Sequence, residues 1–262
     1  MIATALSIAG SDPSGGAGIQ ADLKSFSARG VYGMTALTAL TAQNTCGVTA
    51  IEVLSPDFVT AQLDAVFSDV RVNGIKVGMI ANAAIASAVA EGLQRYAEAI
   101  PVVVDPVMVA KGGARLLDPD AVHAVATQLL PCATVITPNL PEAAALLGCS
   151  EATSRSIMEE QAHRLVEMGP DAVLLKGGHL PGAHSPDVLV TNGQTHWLEA
   201  VRVETANTHG TGCSLSASLA AELAKGLPLI DAAKVAKAFS NSTLPLLPAG
   251  WSLYQFWGPV YD

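Results

Sequence analysis

The sequence predicts an α/β fold, a largely parallel central sheet with helices on both faces, and three observations predict it. Strand-like and helix-like patterns alternate along the whole chain, as in doubly wound sheets. Half the residues are hydrophobic and only 14% are charged, against about a quarter in average domains; strands covered on both faces need such a composition. No Ser/Gly linker, charge block or internal repeat divides the 262 residues, so one domain is expected over 1–262.

The elements follow in order. Residues 3–8 form an apolar strand ending at Gly10, and 18–29 carry helical spacing (Ile19, Leu23, Phe26) stopped by Gly30. Residues 34–42 and 47–54 are rich in β-branched side chains and are expected to pair. A helix is expected over 56–69, a buried strand over 74–78, a helix over 82–98 and a strand at Val102-Val103-Val104. After a glycine-bearing loop at 111–113 come a helix at 119–129, a strand at 134–137, helices at 139–147 and 154–168, and a strand at 172–175. Residues 187–198 read as a hairpin turning at Asn192-Gly193. Two helices, 211–225 and 229–244, follow.

Charge narrows the function classes. The formal charge is −9 without a basic cluster, which opposes nucleic-acid binding, because that requires Lys and Arg to displace counterions. ATP would need local devices instead: helix N-termini, glycine loops and well-placed lysines. Cys46, Cys132, Cys149 and Cys213 show neither C-x-x-C spacing nor zinc-like histidine partners, and read as reduced thiols of a cytoplasmic protein. The N-terminus has no basic n-region and reads as a first strand, not a signal peptide. No apolar run reaches membrane-spanning length.

In open α/β sheets, ligands gather beyond the carboxyl ends of the strands. The loop Gly10-Ser11-Asp12-Pro13-Ser14-Gly15-Gly16-Ala17-Gly18 lacks both the Lys-Ser/Thr of a P-loop and G-x-G-x-x-G spacing. It reads either as a tight turn or as a loop whose N–H groups approach a ligand, with Gln20 and Asp22 facing the same crevice. Asn207-Thr208-His209-Gly210-Thr211-Gly212-Cys213-Ser214 opens a helix, so the N–H groups of 211–213 stand at the positive end of its dipole, suited to a transferring phosphoryl group. Cys213 there reads either as a thiolate base, its pKa lowered by the helix terminus, or as a small buried residue. The other three cysteines read as structural. Asp105 ends a strand. Asn139 and Glu142 read either as a capping box or, for Glu142 with Asp105, as orienting Mg²⁺ through water beside nucleotide phosphates. Lys176, in Lys176-Gly177-Gly178-His179, and Lys111 could each reach a phosphate or be solvated loop lysines. His179 and His209 read as hydrogen-bonded structural histidines.

These motifs, with Thr41-Ala42-Gln43-Asn44-Thr45, Gly78-Met79 and Val104-Asp105-Pro106-Val107-Met108, resemble in order and nearly throughout the hydroxymethylpyrimidine/phosphomethylpyrimidine kinases of the ribokinase-like superfamily. The resemblance implies ATP and Mg²⁺ as co-substrate and cofactor, an aminopyrimidine alcohol as acceptor, and a homodimer. It implies Gly210, Thr211 and Gly212 as the anion hole for the γ-phosphate and Cys213 as base. Gln43 would hold the aminopyrimidine edge, and a carboxamide does supply both donor and acceptor. Gly10, Ala17, Asp22, Met79 and Val107 would complete the pocket; Asn139, Glu142, Lys176 and Asp105 would serve nucleotide and metal. The family often carries Glu where Gln43 stands, and residues 251–262 replace its polar tail with aromatics. A pyridoxal kinase of the same superfamily and a non-catalytic pyrimidine sensor are the competing expectations.

Overall fold

A computed structural model describes residues 2–44, 46–108, 119–203 and 210–243. Six strands run parallel in the main sheet: β1 (Thr4–Ala9), β2 (Tyr32–Leu37), β5 (Gly74–Val77), β6 (Val102–Val104), β7 (Val135–Ile136) and β8 (Ala172–Lys176). β9 (Asp187–Thr191) and β10 (Gln194–Leu198) close one edge as the expected hairpin, with Asn192 at φ 50° and Gly193 at φ 71° in its turn. The order is β10-β9-β8-β7-β6-β5-β1-β2.

Alternation along β6 shows why apolar strands suit this sheet. Val102 and Val104 enter one core with Leu63, Ile85 and Met158, while Val103 enters the other with Phe26, Leu215 and Ala232. The first core lies under α2 (Pro56–Asp69), α3 (Ala83–Tyr96), α4 (Pro119–Ala124), α5 (Leu140–Leu147) and α6 (Arg155–Val166). The second lies under α1 (Gly18–Ala28), α7 (Thr211–Ala224) and α8 (Leu229–Thr243).

Two expectations change in detail. The segment 34–42 splits into two strands: its first part joins the main sheet as β2, while β3 (Ala39–Asn44) pairs with β4 (Gly47–Val53) in a separate antiparallel hairpin. Thr38, buried and bonded through Oγ1 to Met79 O at 2.7 Å, marks the break. The helix expected over 119–129 holds as α4 only to Ala124, then continues as a π-helical turn over Val125–Leu129 and a 3₁₀ turn ending at Cys132. Pro131 and Cys132 fall in that last turn, and Pro131 has no N–H with which to continue an α-helix. Lys111, His209 and the aromatic tail 251–262 lie outside the described residues.

Gly18 is fixed by geometry. Its φ is +57°, and a Cβ there would stand 2.3 Å from Gly10 O. Gly18→Ala is therefore expected to cost at least ~2 kcal/mol, from left-handed strain plus a displaced loop, read as a lowered midpoint in urea unfolding.

Candidate active site

The carboxyl ends of β1, β5, β6, β7 and β8 open on one cavity of about 700 Å³, within the usual range for small-molecule sites. Its wall includes Gly10, Ala17, Gln43, Met79, Asp105, Val107, Asn139, Glu142, Lys176, Gly210, Thr211, Gly212 and Cys213. Residues from seven separate sequence segments thus meet in one space.

The 10–18 loop does not offer its amides to a ligand. Buried Asp12 takes them: Oδ1 accepts Ser14 N–H at 2.9 Å, and Oδ2 accepts Gly16 and Ala17 N–H at 3.1 and 2.8 Å. Gly15 N–H goes to Asp12 O, and Gln20 Oε1 accepts Asp12 N–H at 2.8 Å. The loop is a rigid wall, and Gln20 belongs to its frame and not to the crevice. Ser11 ties it to the β3–β4 hairpin, since Thr41 N–H donates to Ser11 Oγ at 3.1 Å and Thr41 Oγ1 to Ser11 O at 2.8 Å. That tie holds half-buried Gln43 over the cavity.

Asp22 departs from its expected place. It is fully buried, is not among the wall residues, and accepts Ser7 Oγ at 2.6 Å and Lys76 Nζ at 2.8 Å. The reason is its position on α1, whose inner face turns onto β1 and β5, where Ser7 and Lys76 are register neighbours. Lys76 itself borders the cavity. In the sequence Lys76 reads only as part of a buried strand, yet a lone lysine inside Gly74-Ile75-Lys76-Val77-Gly78 is a signal, because a charge is buried only with a partner.

On α7, Gly212 faces the second ion pair. A Cβ on Gly212 would lie 3.1 Å from Lys176 Nζ and 3.9 Å from Asp105 Oδ2, so glycine lets the helix terminus sit against the ammonium without displacing it. Lys176 Nζ donates to Asp105 Oδ1 at 2.9 Å; Thr137 and Ser216 hydroxyls donate to the same carboxylate at 3.2 Å each. Burial would raise the Asp105 carboxyl, but Lys176 and Lys76 outweigh it and hold it below the usual range. Asn139 and Glu142 do form the capping box of α5, with Glu142 N–H to Asn139 Oδ1 at 2.9 Å and Asn139 N–H to Glu142 Oε2 at 2.7 Å. Both also border the cavity, so the two readings of this pair are compatible. Burial pushes the Glu142 carboxyl up to about 7, Asp105 adding to it while Lys176 opposes.

Cys213 corrects an expectation. The helix terminus does not lower its pKa; burial pushes the thiol up to about 11, Asp105 and Asp22 adding to it, while Lys76 and the Gly18 N–H hydrogen bond pull it down. Two neighbouring carboxylates and poor solvation outweigh the dipole. Of the other cysteines, Cys132 Sγ donates to Gln128 O at 3.3 Å and Cys149 accepts from Gln161 Nε2 at 3.4 Å, while Cys46 is exposed. His179 stands exposed at the cavity rim with no hydrogen-bond partner among the described residues, so it is not the bonded structural histidine expected. Asp187 and Lys237, paired at 2.8 Å, also border the cavity; nothing in their local sequence marked them.

Magnesium can be weighed against these donors. Among the described residues no three His, Cys, Asp or Glu side chains cluster as a metal cage. Glu142 and Asp105 instead fit the pattern in which one or two carboxylates, water and phosphate oxygens share Mg²⁺.

Helix-terminal amides set against buried ammonium groups, with a small mostly apolar pocket alongside, make a site for moving phosphoryl groups onto small molecules. The fold and this site define a small-molecule kinase of ribokinase-like architecture. The family described as phosphomethylpyrimidine kinase matches residues 12–260. A hydroxymethylpyrimidine/phosphomethylpyrimidine kinase of Rhizobium meliloti is 53% identical over 244 residues, covering 93% of this chain and 91% of that protein. The crystal structure of a Clostridium difficile phosphomethylpyrimidine kinase superposes with TM-score 0.81 at 39% identity, covering 92% of this chain and 99% of the other. An ADP complex of Bacillus subtilis pyridoxal kinase gives TM-score 0.85 at 38% identity, covering 93% and 92%. The chain belongs to the phosphomethylpyrimidine kinase family.

Proposed function

We propose that this protein transfers the γ-phosphoryl group of ATP to the hydroxymethyl oxygen of 4-amino-5-hydroxymethyl-2-methylpyrimidine, then phosphorylates the monophosphate, in thiamine diphosphate biosynthesis. One observation carries the reading: Gln43 and the Gly210–Cys213 turn border the same cavity. In the first transfer the hydroxymethyl oxygen bonds to the γ-phosphorus and the bond to the β-phosphate bridging oxygen breaks. ADP leaves, and the hydroxyl proton passes to the Cys213 sulfur. Amides of 211–213 and Lys176 stabilise charge on the moving group. Gln43 holds the aminopyrimidine edge, with Gly10, Ala17, Met79 and Val107 forming the pocket around the ring. Asn139, Glu142, Lys176 and Asp105 serve the nucleotide; Mg²⁺, carried by Glu142 and Asp105, supplies charge neutralisation there. On the same footing we take the enzyme to be cytoplasmic and a homodimer. Among the described residues no helix is long and apolar enough to cross a membrane.

The test is ADP release with hydroxymethylpyrimidine, its monophosphate and pyridoxal. Turnover should be highest with the two pyrimidines. The likeness to pyridoxal kinase supports a second reading, which faster turnover of pyridoxal would establish; ADP release with none of the three would leave a pyrimidine sensor.

Glu142 gives a pH prediction. A carboxyl with pKa near 7 is neutral below that value and anionic above it. KM for Mg·ATP should therefore rise as pH falls from 8 to 6, and Glu142→Gln should show the low-pH value throughout. Steady-state kinetics at saturating acceptor measure both.

A further inference from the structure

Three lysine–carboxylate pairs meet the cavity, and one is built differently from the others. Lys176 and Asp105 both border the space, as do Lys237 and Asp187. Each of those pairs shows the cavity both signs. Lys76 borders the cavity, but its partner Asp22 lies behind it. The Lys76 side chain is itself fully buried, so the wall near Cys213 covers the positive end of a buried dipole, whose charge acts on the cavity through its field and not through contact. The placement follows from α1 and the sheet. Helix α7 packs against both α1 and β5; Gly18 and Asp22 are one helical turn apart on α1, Asp22 bonds to Lys76, and the Gly18 amide and the Lys76 charge both act on the Cys213 thiol. Lys76 thus lies beneath Cys213, on the acceptor side of the anion turn. Asp22 is its one hydrogen-bond partner among the described residues, which leaves two of the three ammonium N–H groups without one. Arg202, also on the wall, directs its N–H groups to carbonyls of the 178–184 segment.

A neutral alcohol acceptor has no use for a fixed positive charge. A monophosphate acceptor does, because its two negative charges must approach a triphosphate already rich in charge. We infer that Lys76 is the specificity residue for the second phosphoryl transfer, favouring the anionic monophosphate over the neutral alcohol at the acceptor position. The inference rests on the function proposed above. In that second transfer a phosphate oxygen of the acceptor bonds to the γ-phosphorus, the bond to the β-phosphate bridging oxygen breaks, and ADP leaves. The attacking oxygen is already anionic, so no proton need be removed. The two steps then call on different groups: a base for the alcohol, a counter-charge for the phosphate.

The test compares kcat/KM for the monophosphate with kcat/KM for the alcohol. Asp22→Asn/Lys76→Gln removes the charge while leaving a hydrogen-bondable pair of similar volume, and the ratio should fall at least about tenfold. Lys76→Arg should keep the ratio within about threefold of wild type. An unchanged ratio in a double variant of native far-UV circular dichroism overturns the assignment while the proposed function stands. ADP release by wild type with neither pyrimidine removes both. A crystal structure of the wild-type protein with the monophosphate decides independently of how the variants fold. The acceptor phosphate should have Lys76 Nζ as its nearest protein ammonium, and a phosphate lying closer to Lys176 or Lys237 refutes the inference.

Discussion

Replacing Cys213 with alanine should lower kcat on the alcohol substrate by about 10²–10⁴-fold, with KM for the pyrimidine changed less than about threefold. The asymmetry follows from what the sulfur does. In the proposed mechanism it accepts a proton as the hydroxymethyl oxygen attacks, so its loss would be felt in the transition state; Gln43 and the apolar wall, proposed to hold the ring, remain. The raised thiol pKa adds a signature. With a value near 11, only a few parts in ten thousand are thiolate at pH 7.5. While the base is mostly protonated, kcat/KM for the alcohol should climb about tenfold per pH unit between 7 and 10. Cys213→Ala should flatten that slope, and Cys213→Ser should not restore it, because a serine hydroxyl is a far weaker acid. An alanine variant with wild-type kcat would remove the sulfur from the chemistry and leave the anion turn and Lys176 as the working groups.

The parallel sheet and its two helical layers could be read from the chain because β6, β8 and the intervening helices carry strong local periodicity. Placement of Gly210–Cys213 was legible for the same reason: a glycine-flanked hydroxyl before an apolar helix has few local conformations. What could not be read was the charge pairing across the sequence. Asp22 reads as a polar helix residue facing the ligand crevice until β5 supplies Lys76 from 54 positions away. Asp105 likewise meets Lys176 across 71 positions. The Cys213 expectation failed for this reason too. A helix terminus is a local feature, whereas the carboxylates that oppose it arrive from β6 and α1. Asp12 shows the converse: its carboxylate accepts amides no more than five residues away, so a glycine-rich pattern that also reads as ligand contact is satisfied here by the chain itself.

Asp22→Leu should destabilise the protein by about 3–5 kcal/mol, because it leaves the Lys76 ammonium buried without its counter-ion. For a chain of this size, that corresponds to a fall in Tm of roughly 6–20 °C. The pair is held by opposing influences: burial pushes the Asp22 carboxyl up and the Lys76 ammonium down, and each partner pulls the other back. Removing either partner leaves the survivor under burial alone, and the two single variants then respond to pH in opposite senses. In Asp22→Leu, Lys76 has a folded pKa depressed below its unfolded value, so folding expels a proton and stability should recover as pH rises toward 10. In Lys76→Met, Asp22 has a folded pKa raised above its unfolded value, so folding takes up a proton and stability should recover as pH falls toward 4. Asp22 can neutralise itself more cheaply near pH 7, and it keeps the Ser7 hydroxyl; Lys76→Met should therefore be the milder variant at that pH. The Asp22→Leu/Lys76→Met double variant should return to wild-type stability or above it. Thermal unfolding of all four proteins between pH 5 and 9 measures the coupling directly. Parallel pH responses of the two single variants would show that the ion pair is not what holds α1 to β5.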